Sequence, residues 1–255
     1  MSRIPNGYNN PGNLLSLSKQ VHRMERMGFR HSFGTAEKQR SAVEDRRGCP
    51  TKWRAHPTCC QMTLMARRKK SPPALPGAFT RNGFPLAEFD RRPLERLPLR
   101  AFVLDWGPDL TLVQVFDTDS FQLDGYAIFR NSDVRRWRVI PDEDFLARAA
   151  AFNKVLPSMP KLAKFGSMRE SAASAGASFQ LITIHRERIK KNVCFVGKLV
   201  GVNQRAVTIQ SITPQAEWEE EERYQLKDIT LLEFGGVYEN LLNSLAKPTT
   251  TSTGQ

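Results

Sequence analysis

The sequence predicts a mainly-β protein: two small β-barrels in tandem, each followed by a short helix, behind a disordered amino-terminal tail. Two observations carry that expectation. Across residues 101–139, apolar and polar residues alternate in short runs split by the turn Trp106-Gly107-Pro108-Asp109, the pattern of half-buried strands joined tightly. A weaker copy follows at 197–234. There Val207-Thr208-Ile209 matches Leu110-Thr111-Leu112, Asp228-Ile229 matches Asp133-Val134, and Leu232 and Phe234 fall at the places of Trp137 and Val139. Self-similarity at a nearly constant interval argues duplication of one supersecondary unit.

Taken in order, residues 1–64 are rich in Asn, Gly, Pro, Arg and Ser and show no apolar period, so they are expected to be disordered. Met65 opens a basic run followed by prolines, which reads like an amino terminus. Residues 65–96 form a Pro-rich lead-in, and because proline lacks the N–H of a ladder, no central strand is expected there. The first barrel with its helix spans 97–156. Strands fall at 102–106, 110–116, 126–129 and 134–139, and Pro141-Asp142-Glu143-Asp144 suits a first helical turn ahead of Phe145. Residues 157–178 are a linker whose small residues bury little. The second barrel with its helix spans 179–247. Its strands fall at 179–185, 193–202, 206–212, 224–226 and 229–234, with an acidic loop at 213–222 and a terminal helix through Tyr238. The tail 248–255 is expected to be disordered.

The 255 residues carry a net charge of +12, but unevenly. Residues 1–96 hold 19 Lys+Arg against 7 Asp+Glu, whereas 97–255 hold 19 of each. The basic character therefore belongs to the first third, and the barrels are neutral, which argues against a nucleic-acid surface on the folded part. Four cysteines without a framework of spacings suit a reduced, cytoplasmic protein, and no apolar run is long enough for a membrane span.

Few residues suggest chemistry. Cys49, His56, Cys59 and Cys60 have poor zinc spacing, so no metal site is expected. No cofactor is implied either. His185 stands without Ser, Cys or a paired acid at hand, and Cys194 sits in an apolar strand, so no catalytic residue is assigned. Arg130, Arg136 and Arg138, together with Arg67, Arg68, Lys69 and Lys70, are the candidate binding surface. Strand parity sends Trp137 to the core, away from Arg136 and Arg138. Trp218, amid glutamates, is the candidate for closing the contact between the barrels, with Phe145 and Tyr238.

Three segments carry a family resemblance: the Asp-Gly-Tyr-x-Ile-Phe-Arg-x-x-Asp-Val run at 124–134, Ala216-Glu217-Trp218, and the Phe-Gly-Gly-x-Tyr end at 234–238. Over roughly residues 97–246 the chain resembles uncharacterised bacterial proteins built from two tandem Sm-like/SH3-like small barrels. The Gly-rich second motif of Sm-like relatives is absent, so the resemblance carries no functional residue over. The expectation is a non-enzymatic binding or adaptor protein with a protein partner. RNA binding of the Sm-like type is the alternative, and an enzyme with its site between the barrels comes third.

Overall fold

The computed structural model describes residues 79–247 apart from Ala163. The expectations placed on residues 1–64, on Cys49, His56, Cys59 and Cys60, on Arg67, Arg68, Lys69 and Lys70, and on the tail 248–255 lie outside them. The described chain is mainly β. Its eleven strands form one antiparallel sheet: β1 Thr80–Arg81, β2 Phe84–Asp90, β3 Leu99–Trp106, β4 Leu110–Asp117, β5 Gln122–Arg130, β6 Arg136–Val139, β7 Ile182–His185, β8 Cys194–Val202, β9 Ala206–Ile212, β10 Trp218–Gln225 and β11 Leu231–Phe234. Three short helices accompany it: α1 Phe145–Phe152, α2 Met168–Ser178 and α3 Val237–Leu245.

The strand pairings repeat. β2 to β5 form a meander, a 3-10 turn at Asn131–Asp133 follows, and short β6 returns to pair with β2. β7 to β10 form a second meander, a 3-10 turn at Leu226–Asp228 follows, and short β11 returns to pair with β7. β4 and β9 hold the same place in the two meanders. Asp133 and Asp228 each close a 3-10 turn. The sequence copy thus reproduces strand order. The two meanders are joined because β11 also pairs with β5, Leu232 lying opposite Ile128 and Phe234 opposite Tyr126.

Alternation explains which side chains go inward. Val113 and Val115 of β4 enter a core with Phe89, Val103 and Phe129. Leu110 and Leu112, on the other face, join Ile182, Ile184, Val207, Ile209, Leu232 and Phe234. A third cluster sets Phe102, Phe116 and Ile140 against Ala147 and Ala150 of α1. Asp144 caps α1, accepting from Leu146 N at 2.9 Å, as the Pro-plus-acid start implies.

Two expectations are corrected. The Pro-rich lead-in contributes β1 and β2, and β2 is central, flanked by β3 and β6. Pro85 is tolerated because the ladder to β3 begins only at Leu86, and Pro93 lies beyond Asp90. The stretch at 157–178 is not an idle linker. Its second half is α2, which buries Met168, Ala172 and Ala175 in the core it shares with β7, β9 and β11. Ser167 caps that helix: its Oγ accepts from Glu170 N at 3.2 Å and donates to Glu170 Oε2 at 3.1 Å. Small residues there do not reflect a lack of packing; they let the helix lie close to the sheet. Among the described residues no helix is long and apolar enough to cross a membrane.

Candidate functional site

β7 and β11 lie side by side, Thr183 opposite Glu233 and His185 opposite Leu231. Their even members go to the core, which leaves Thr183, His185, Leu231 and Glu233 on the other face. β8 adds Cys194 beside His185. α3 packs over the same face. Glu239, in its first turn, accepts a hydrogen bond from the Thr183 hydroxyl, and Leu242 and Tyr238 cluster with Leu181, Val196 and Cys194. A cleft of about 170 Å³ opens here, lined also by Arg91 and Leu97 from the stretch between β2 and β3 and by Leu99 at the start of β3.

Several ionisable groups converge in the cleft. His185 Nε2 lies 2.7 Å from Glu233 Oε2. Burial disfavours the charged imidazolium, but the charge and hydrogen bond of Glu233 outweigh it and raise His185 above its ordinary value. The Glu239 carboxyl is pushed up to about 7, by burial first and the Glu233 charge second, with the Thr183 hydroxyl partly offsetting both. Burial pushes the Cys194 thiol up to about 12. A thiol so raised stays neutral near pH 7 and is no nucleophile. Arg91, only 2% exposed, makes two bonds to Glu187, of 3.1 and 2.5 Å, and a longer one of 3.3 Å to the Thr230 carbonyl. An ion pair buried this deeply costs heavily if either partner is removed. Among the described residues no group of His, Cys, Asp and Glu is placed to hold a metal ion.

The three segments that carry the family resemblance converge around α3 and β11. Asp124 Oδ1 accepts from Val237 N at 3.0 Å and so caps α3. Gly125 has φ +64°, and a Cβ there would lie 2.6 Å from Gly236 N, so both the backbone conformation and the close approach require glycine. Tyr126 stacks on Phe234 with ring centroids 5.7 Å apart. Ala216 and Trp218 pack with Tyr238 under α3.

No family model, curated protein or solved structure matches the chain.

The sequence-predicted site residues scatter. Arg130 leaves the proposed basic patch: its Nε donates to the Ile229 carbonyl at 3.1 Å and its Nη2 to the Leu226 carbonyl at 2.8 Å. It ties the first meander to the second. Arg138 bonds Glu88 at 3.2 Å, and Arg136 is exposed. Trp137 is half-buried against Phe89 and Trp106, on the core side as parity requires. Trp218 does not reach the first meander. It packs on Leu181, Val196 and Ile212 of its own half, and its Nε1 donates to the Lys247 carbonyl at 3.0 Å. Phe145 is 64% exposed and meets Phe121, also of its own half. Tyr238 lines the cleft and packs with Trp218. The halves are instead joined by the β5–β11 ladder, by Arg130, by Arg91 with Glu187, and by Arg188 with Asp133. The acidic stretch is not a loop: Glu219, Glu220, Glu221 and Glu222 lie in β10, the last strand of the sheet.

Sequence reasoning missed Arg91, Thr183, Glu187, Glu233 and Glu239. Sequence order gives no sign of the partner of His185, because Glu233 is 48 positions away. Its β-strand parity with Thr183 was the one available signal.

Proposed function

We propose that the chain is a non-enzymatic binding protein of the cytoplasm, built from two tandem Sm-like/SH3-like small barrels, whose ligand seats in the cleft over β7 and β11. Support for the barrel reading comes from the repeated meander, 3-10 turn and returning fifth strand. The single observation that carries the binding reading is the cleft itself, roofed by α3 and set where the two halves join.

Its lining favours a ligand with a positive group on an apolar stem. Glu95, Asp124, Glu187, Glu233 and Glu239 face Arg91 and His185 there, and Arg91 is already engaged by Glu187. Leu97, Leu99 and Tyr238 supply apolar wall. A lysine or arginine side chain presented by a protein partner has that chemistry. RNA binding has less support, since Arg130 is spent on backbone carbonyls and Arg138 on Glu88. An enzymatic reading has less support too, since Cys194 is held as a neutral thiol.

The test is calorimetric titration of the full chain with Nα-acetyl-lysine amide and with its Nε-acetylated counterpart. The charged amine is expected to bind and the Nε-acetylated one not, with binding lost in Glu233→Gln. Equal behaviour of the two probes, or unchanged binding in the variant, would overturn the proposal.

A further inference from the structure

The turn between β7 and β8 carries more positive charge than its contacts use. Arg186, Glu187, Arg188, Lys190 and Lys191 all fall in it. Ile189 N and Lys190 N both donate to the Arg186 carbonyl, at 2.8 and 2.9 Å. The backbone thus closes a single turn there, which brings residues four apart together. Glu187 and Arg188 are engaged by the first half, Glu187 with Arg91 and Arg188 with Asp133. Arg186 and Lys190 are not. The Arg186 guanidinium lies 5.0 Å from the Phe195 ring centroid and 4.8 Å from that of Tyr224. Lys190 Nζ lies 5.8 Å from the same Phe195 centroid.

Two like charges beside one ring repel each other, and no acid offsets them. Among the described residues neither side chain makes a hydrogen bond or an ion pair. Glu222, on the strand that carries Tyr224, accepts from the Tyr224 hydroxyl instead. Arg186 Nε is buried without an acceptor, whereas its two Nη groups are neither buried nor bonded. The stem of the guanidinium is therefore held against the rings while its outer donors stay available, a preorganised fork for an oxyanion.

We propose that Arg186 and Lys190 form a binding site for a phosphate monoester, with exposed Lys191 adding to its field. The site is separate from the cleft. His185 and Cys194 face the cleft, whereas Ile184 and Phe195, on the other face of the same hairpin, pack in the core beneath Arg186. A guanidinium and an ammonium converging on one place match the double charge and clustered oxygens of a monoester. Glu219, Glu220, Glu221 and Glu222 are exposed on β10, the strand of Tyr224. They repel an extended polyanion, so a compact dianion suits the site better than a nucleic-acid backbone. The monoester can belong to a small molecule or to a phosphorylated side chain of a protein.

Nuclear magnetic resonance of the 15N-labelled full chain tests this near pH ~7.5, where a monoester is doubly charged. Burial protects the Arg186 Nε–H from exchange, and its resonance is assigned by its absence in Arg186→Lys. Inorganic phosphate and Nα-acetyl-O-phosphoserine amide are expected to shift that resonance saturably, and Nα-acetyl-serine amide to leave it unmoved. Tighter binding of the phosphoserine probe assigns the monoester to a protein side chain, and equal binding assigns it to a free phosphorylated molecule. Lys190→Gln is expected to weaken binding about tenfold, the loss of one charge-assisted bond. Lys190 is exposed, so this variant keeps the test intact if Arg186→Lys, which alters the cover of Phe195 and Tyr224, misfolds; the resonance is then assigned from the backbone of the wild type. No saturable shift, an equal shift with the unphosphorylated probe, unchanged affinity in Lys190→Gln, or a single-stranded oligouridylate that moves the resonance at lower concentration than either phosphate probe would each overturn the proposal.

Discussion

Removing the charge of Glu239 should stabilise the protein, and only at neutral and higher pH. Glu239 is 8% exposed and accepts from the Thr183 hydroxyl. Its carboxyl rises from 4.5 to about 7, chiefly by burial and then by the Glu233 charge. A carboxyl raised in the folded state binds more protons folded than unfolded between those two values. Its contribution to stability is therefore complete below 4.5 and is lost as pH climbs through 7. A rise of that size corresponds to ~3 kcal/mol at full ionisation. Glu239→Gln keeps the side-chain shape and an acceptor for Thr183 but cannot ionise. Its new amide N–H groups need acceptors, so the net gain is expected to be about 1–3 kcal/mol near pH ~8, shrinking to little near pH ~4.5. Urea midpoints of wild type and variant across that range provide the readout. Equal midpoints at the alkaline end, or an offset that does not change with pH, would refute the reasoning.

Two further variants probe the frame around the site. Trp137→Ala strips a half-buried ring from Phe89 and Trp106 and should lower stability by roughly 3 kcal/mol, read from the urea midpoint; an unchanged midpoint would show that the ring contributes nothing. Gly197→Ala places a Cβ 2.3 Å from the Gln210 carbonyl oxygen, a backbone atom of the neighbouring strand, so β8 and β9 must part. A loss of about 1–3 kcal/mol in thermal unfolding is expected, and a neutral outcome would mean the two strands separate at no cost.

Much of the strand order was legible because parity is a local signal. Val113 and Val115 against Leu110 and Leu112 could be assigned from four neighbouring residues, and the duplicate Asp133 and Asp228 marked the turn in each copy. β2 was obscured because Pro85 lies near its start and Pro93 just past its end, and only the register shows that neither interrupts the ladders to β3 and β6. α2 was obscured because alanine and serine give little hydrophobic contrast, although Ser167 is a good N-cap residue and does cap the helix. The cleft was hidden for a different reason. Arg91, Thr183, His185, Glu187, Glu233 and Glu239 come from four separate stretches, and it is the β5–β11 and β7–β11 ladders that assemble them. Trp218 was assigned to the wrong neighbour because composition shows that an indole needs cover, not that α3 and Lys247 provide it.

β11 is the last of the described strands to be made and yet lies in the middle of the sheet, between β5 and β7. While the ribosome is still adding residues before Leu231, both of those strands present an unfilled edge to whatever is nearby. The nascent chain is thus most open to mispairing, or to capture by a chaperone, until Leu231–Phe234 has been added. Synthesis that stops short of Leu231 would deprive the sheet of its centre rather than its rim, leaving two halves with only side-chain ties between them.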